Sequence, residues 1–450
     1  MTTSGDPTEV RTAEVAGPGG HLVRAIGRWT MVAIMINMIV GGGIFGLPAR
    51  VFAQSGAWSL LAYVVCAVVI ACIALCLAEV SSRFSGTGGP YLYATEAFGP
   101  IPGFLVGWLM VITRMTSLAI IASIMADYLA YLWPAAAAGP MHTAVIVMAL
   151  LALAVINVAG VREGAGLCAA LTVVKLLPLL LFVALGLVAI QPQRLVGAAP
   201  SGELFTQSVF QLIFAFGGFE TAVVIAGEMK DPGRDTPFAV LVGIGAAALL
   251  YVLIQTVCIG TLPELAGSQR PLADAAARFA GGAGGAVIAL GAFVSTLGSL
   301  AGTILAGPRV LFAMAERGQM PTSFAALHPR FLTPLAAIAT IAAGGVALAV
   351  TGTFTYLIGL NVITRLVQYL ITALAVYALR RRESAPAPFV VPAGWLIVPV
   401  TVMGCLWLMT RSSANELRDV VIALLLGLMI YGLRVVWLGR RRVIPEGPTA

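Results

Sequence analysis

The chain is predicted to be an all-α integral membrane protein with twelve transmembrane helices. Three observations point there. The 450 residues are 60% hydrophobic and only 10% charged, with a mean hydropathy of +0.98, whereas a soluble domain carries about 25% charged residues. The apolar residues gather in runs of about 20 that are hydrophobic all round, the length a helix needs to cross a bilayer. Two of these runs are interrupted by glycine at their centres, which an ordinary spanning helix is not.

The spans are expected near 30–52, 57–80, 101–133, 142–160, 165–190, 206–227, 238–262, 283–307, 334–351, 355–379, 391–410 and 418–438. The first reads MVAIMINMIVGGGIFGLP over Met31–Pro48, with Gly41–Gly43 in a row and Gly46 beyond. The third is long enough to tilt strongly or to leave the membrane, and it carries Arg114. The fifth holds Lys175 as its only charge, in ALTVVKLLPLLLF. A mid-span lysine costs about 2.5–3.5 kcal/mol on insertion scales and is therefore expected to face the bundle. The sixth reads FQLIFAFGGFETAVVIAGE over Phe210–Glu228, with Gly217 and Gly218 at its centre and Glu220 just after. The eighth is diluted by small residues, the ninth is short, and the tenth carries Arg365. Arg114 and Arg365 each fit either a site-facing role or a structural pair. Glu79 and Asp127 lie nearer span ends, where solvated or interfacial roles are expected. The loops at 262–282 and 308–333 are too short to hold a soluble domain.

Glycine lets the backbone leave helical geometry. Lipid cannot satisfy the N–H and C=O groups so released, so the two breaks must line a cavity or be buried in protein. Corresponding breaks in two spans point to a substrate site between them. The competing reading is that these glycines only let helices pack closely.

Charge orients the chain. With both termini inside, roughly 17 of the 26 basic residues fall in inner loops and 6 in outer ones, the other three lying inside spans. The positive-inside rule therefore predicts cytoplasmic N- and C-termini. The basic residues are dispersed over loops, which is no nucleic-acid footprint. All six cysteines fall within spans and form no CxxC, so inert core thiols are expected. His21, His142 and His328 have no ligand spacing around them, and a metal site is not expected. Residues 1–27 lack an apolar h-region and read as a cytoplasmic disordered tail, with the first span as the insertion signal. No zinc, phosphate-loop or nucleophile-elbow pattern occurs, so an enzyme is not expected and no cofactor is implied.

Several segments together resemble the amino acid–polyamine–organocation superfamily of permeases. They are GGGIFGLP in the first span, the loop GTGGPYLYATEAFGP (Gly86–Pro100) after the second, FAFGGFETAVVIAGEMKDPGRDTP (Phe214–Pro237) and STLGSLAGTILAGPRVLFAMAERGQMP (Ser295–Pro321). The resemblance runs over about 28–382, and the last two spans match only in hydropathy. It implies a leucine-transporter-like fold, two five-span repeats of opposite topology with the first and sixth spans broken. The domains are then 28–191 and 204–382 as repeats, 389–438 as two added spans, and 439–450 as a cytoplasmic tail.

A zwitterionic amino acid offers a carboxylate, which suits free N–H groups at a half-helix N-terminus. It also offers an ammonium, which suits unwound carbonyls. By resemblance Gly42, Gly43 and Ile44 would supply the N–H groups, and Ile39, Phe214 and Gly217 the carbonyls. Gly41, Ala215 and Phe216 complete the expected substrate-binding set. Phe214 is the better gate candidate of the two flanking aromatics. Thr303 stands where related arginine–agmatine exchangers carry a tryptophan, which argues against a cationic substrate stacked there. Some sodium-independent relatives carry a lysine that resembles Lys175, whose ammonium can stand in for a sodium ion. Gain or loss of its proton can then couple to transport. Ser295, Thr296 and Ser299 are the eighth-span hydroxyls that could line this place. Glu220 resembles a glutamate that affects pH response in related exchangers. It could equally contact a substrate cation or hold helices together.

The expected function is secondary active transport of amino acids by alternating access, with a proton gradient as driving force. The alternatives are an exchanger of an amino acid for its metabolite or a polyamine, and a sensor that binds without flux. The expected partners are the small-molecule substrate and the lipid bilayer of a bacterial-type cell membrane.

Overall fold

The structure, a computed structural model, describes residues 27–84, 89–159, 165–221, 231–382 and 387–442. Most of the expected N-terminal tail, the residues after 442 and the charged stretch 228–230 lie outside them. No strand occurs among the described residues.

The first expected span is three helices: α1 (Arg28–Ile39), α2 (Gly43–Gly46) and α3 (Pro48–Ser55). The last backbone bond before the break runs from Val40 N–H to Ile36 O at 2.8 Å, and Val40 itself is extended (φ −71°, ψ 90°). Proline at the start of α3 lacks only an N–H that a helix leaves unpaired there. The next four spans are α4 (Ser59–Ser82), α6 (Pro100–Leu132), α7 (Gly139–Ala159) and α8 (Ala165–Gly186). The sixth begins as α9 (Gly202–Ala215), turns at 216–218 and resumes as helix at 219–221. Then follow α10 (Pro232–Thr261), α11 (Pro271–Glu316), α12 (Leu335–Thr351), α13 (Phe354–Arg382), α14 (Gly394–Met409) and α15 (Ala414–Arg442). Among the described residues six helical stretches are long and apolar enough to cross a membrane by length and composition, and four apolar helices are shorter.

Three sequence expectations need correction. The segment after the second span contains a buried nine-residue helix, α5 (Pro90–Phe98), where a loop was expected. Proline starts it and Gly99, at φ +97°, ends it, while Tyr91, Leu92, Tyr93, Ala94 and Ala97 are buried. The eighth span is far longer than 283–307. Helix α11 runs 46 residues, kinked at Gly281 (φ +69°), and it absorbs parts of both neighbouring loops. Its extra first turns bury Leu272, Ala273, Ala275 and Ala276, and its interior Pro308 does not end it. Third, Glu79 is fully buried rather than interfacial. Arg380 donates to both its oxygens, at 2.7 and 2.6 Å, and the Val391 N–H donates at 2.8 Å. This fork ties α4, α13 and the segment before α14 together.

Helix α6 lies at the centre, packed on α5, α11, α12 and α13. Helix α10 packs on α1 and α4, and α8 packs on α11. The two broken helices run beside α6, α10 and α13, whose few polar side chains meet the breaks.

Candidate functional site

The breaks touch each other directly. A Cβ on Gly43 would stand 2.6 Å from Ala215 Cα, so only glycine lets α2 approach the end of α9 this closely. Gly218 (φ +111°) lies against the carbonyl of Met38, in a backbone region that favours glycine.

At the first break, neighbours donate to the carbonyls while the amides stay open. Tyr251 of α10, buried in the core, brings its hydroxyl within 2.9 Å of Ile39 O and 3.1 Å of Ala215 O. It therefore bridges the last carbonyls of the two half-helices. Lys175 Nζ donates to Asn37 O at 2.5 Å. Beyond the break, the Tyr128 hydroxyl donates to Phe45 O at 2.9 Å. Among the described residues no acceptor meets the N–H groups of Gly41, Gly42, Gly43 and Ile44. Four adjacent buried or half-buried donors without acceptors form an electropositive patch suited to a carboxylate.

The second break is held by charge. Glu220 turns back to accept from the Gly218 N–H at 2.8 Å through Oε2, and its Oε1 pairs with Arg365 Nη1. The Arg365 guanidinium lies against Gly217, and its Nε donates to Asn361 Oδ1 at 2.9 Å. Asn361 Nδ2 in turn lies 2.8 Å from Thr116 Oγ1, 2.9 Å from Ser117 Oγ and 3.0 Å from Thr113 O, all on α6. The Tyr369 hydroxyl stands 3.4 Å from Glu220 Oε2, and its ring lies tilted against Phe219, ring centroids 5.4 Å apart. A buried ion pair satisfied on so many sides fixes geometry more than it adds stability.

The expected carbonyl acceptors differ in occupancy. Ile39 O already accepts from Tyr251, and Phe214 O accepts from the Gly217 N–H at 3.1 Å. Each keeps one lone pair. Gly217 O accepts no hydrogen bond among the described residues. Phe216 is fully buried with its ring edge-on to Tyr251 at 5.2 Å, a packing role. Phe214 retains 6% exposure beside the break.

On α11, Thr296 bonds back to Ala292 O at 2.7 Å and Thr303 to Ser299 O at 2.8 Å. Ser299 faces Gly41, at 3.4 Å from where a Cβ would be. The buried Ser295 hydroxyl has no partner among the described residues. Gly291, one turn before it, packs on Pro178, three residues past Lys175. Ser295 and Lys175 thus belong to the same contact between α8 and α11.

Sequence reasoning missed Tyr251, Asn361 and Tyr369. Each is a polar side chain in the middle of an apolar run, the signal that had flagged Lys175, but without a charge to draw attention.

Comparison with known proteins gives the site a context. A family model described as amino acid permease matches residues 26–431. An uncharacterised transporter of Mycobacterium tuberculosis is 32% identical over 435 residues, 95% of each chain. The serine/threonine exchanger SteT of Bacillus subtilis is 27% identical over 432 residues, 92% of this chain and 97% of its own. A methylthioribose transporter of the same organism is 26% identical over 451 residues, 94% and 96% of the two chains. Relatives at similar identity thus carry names with different substrates, so likeness over the whole chain does not choose one.

Proposed function

The chain belongs to the amino acid permease family, within the amino acid–polyamine–organocation superfamily, and on that premise we propose that it carries amino acids by alternating access with proton symport. The family is one of multi-pass membrane transporters, and the relatives are bacterial, so the bacterial plasma membrane is the proposed location.

The observation that carries the reading is the pair of touching backbone breaks with complementary polarity. The open N–H groups of Gly41–Ile44 suit a carboxylate. The open carbonyl of Gly217 and the spare lone pairs of Ile39 and Phe214 suit an ammonium. An α-amino acid carries both groups on one carbon, so one molecule can span the two breaks. Bound there, it joins α1–α2 to α9, and the backbone that released its own hydrogen bonds regains them through substrate. Phe214 is the proposed lid. The proposed bundle is a pair of inverted five-helix repeats with two further helices, and both termini are placed in the cytoplasm.

Lys175 is the proposed coupling group. Charged, it holds Asn37 O and so ties α8 to the end of α1. Neutral, it loses the charge that strengthens this bond, and α1 is released from α8. Ser295, unpartnered among the described residues at the same helix contact, and Ser299 beside Gly41 are the hydroxyls that would complete the lysine's surroundings. Glu220 is already engaged by Arg365 and comes second as a proton carrier.

The test is uptake into proteoliposomes under an imposed pH gradient. Symport predicts accumulation driven by acid outside, and Lys175→Ala abolishes that response. Acid-driven uptake that survives Lys175→Ala unchanged would sink the coupling role. The name of SteT supports a second reading, exchange, in which uptake requires a counter-substrate inside whatever the pH gradient. Binding without flux would mark a sensor.

A further inference from the structure

The charges around the two breaks do not balance. Among the described residues three cations, Arg114, Lys175 and Arg365, lie on the mid-span stretches of α6, α8 and α13 that adjoin the breaks, with one carboxylate, Glu220. Glu220 is taken by Arg365, and Lys175 by a backbone carbonyl. Among the described residues Arg114 makes neither a hydrogen bond nor an ion pair, although it lies in the electrostatic field of Glu220, Arg365 and Tyr369.

Its position is fixed by its neighbours. Thr113, the residue before it, bonds to Thr364 of α13 at 2.9 Å. Gly307 of α11 passes so close that a Cβ there would stand 3.5 Å from Arg114 Cβ. Ile121, seven residues on and therefore on the same face of α6, lies against Gly42 of the first break. The Thr113–Thr364 bond sets the Arg114 turn of α6 beside Arg365, the next residue on α13, so Arg114 lies within the electrostatic reach of the second break. A guanidinium without a partner at mid-membrane is costly unless it faces polar groups or a ligand, and the polar groups brought to this side of α6 are those of the two breaks.

Resting on the amino acid reading above, we propose that the preferred substrate carries a second carboxylate, and that Arg114 receives it. The α-carboxylate goes to the N–H groups of the first break and the ammonium to the carbonyls. The side-chain carboxylate then meets the planar fork of Arg114, which can grip both its oxygens. The same surplus of positive charge repels lysine, arginine and polyamines.

The experiment is calorimetric titration of the purified full chain in lipid nanodiscs with glutamate, aspartate, glutamine, lysine and glutarate. Glutamate or aspartate is expected to bind at least about tenfold more tightly than glutamine, the range of one hydrogen-bonded charge pair, and lysine more weakly than glutamine. Arg114→Gln brings the glutamate-to-glutamine ratio toward one, and Arg114→Lys retains part of it. Equal affinities for glutamate and glutamine in the unaltered chain, or a ratio that Arg114→Gln leaves intact, overturns the proposal. The ratio in the unaltered chain decides even if the variants fail to fold. Neutral or cationic amino acids bound in preference to acidic ones would overturn this inference and leave the amino acid reading standing. Glutarate bound with no amino acid bound would do the reverse, and no binding at all overturns both.

Discussion

The two broken helices solve the same problem in opposite ways. At the first break the chain brings no polar side chain of its own. Its carbonyls are held by visitors from α6, α8 and α10, namely Tyr128, Lys175 and Tyr251, and its amides are left open. At the second break the chain supplies its own charge. Glu220 closes the Gly218 N–H and locks to Arg365, leaving a carbonyl open instead. One break therefore presents donors and the other acceptors. The difference teaches that a break is not a generic hole: which backbone groups remain free is decided by which neighbours have already engaged the others.

That contrast can be broken most severely at Glu220. Glu220→Ala leaves Arg365 buried without its charge partner and is expected to cost about 3–5 kcal/mol, read as a large fall in thermal midpoint in detergent. Glu220→Gln, which can still meet the Gly218 N–H, should recover only part. An unchanged midpoint in Glu220→Ala would mean that the pair does not hold the second break. Next comes the contact between the breaks. Gly43→Val forces a side chain against the Ala215 backbone and is expected to cost about 1–3 kcal/mol by overpacking. Transport should be lost by more than that stability loss explains, and a Gly43→Val protein with normal uptake would dissociate the close approach from function. The smallest effect is expected at Tyr251→Phe, which removes the shared hydroxyl and costs about 1 kcal/mol. It should loosen both breaks, so amide exchange near Ile39 and near Ala215 should quicken together. Faster exchange at one alone would show that the hydroxyl serves a single helix.

Much of this was legible in the sequence, because hydropathy and glycine act locally. The positions where α1 and α9 stop follow from glycine runs in apolar stretches, and Lys175 stood out as the only charge of its span. What was hidden depends on partners far along the chain. Arg365 and Glu220 lie 145 residues apart, and nothing in either neighbourhood announces the other. Glu79 and Arg380, 301 apart, are the same case, which is why a buried fork looked like an interfacial carboxylate. Helix α5 was hidden for another reason. Nine residues are too short for a hydropathy window tuned to spans, and its burial comes from packing on α6.

Tyr251 carries one more implication. A hydroxyl owns a single hydrogen, yet this one faces two acceptors on two different half-helices. When it leans to Ile39 O it weakens toward Ala215 O, and the reverse, so the sum varies little with its position. If α1 and α9 draw apart, the proton follows one of them while the other carbonyl is freed for water or substrate. The joint then works like a ball bearing rather than a bolt: it keeps two sliding parts in register while resisting neither strongly.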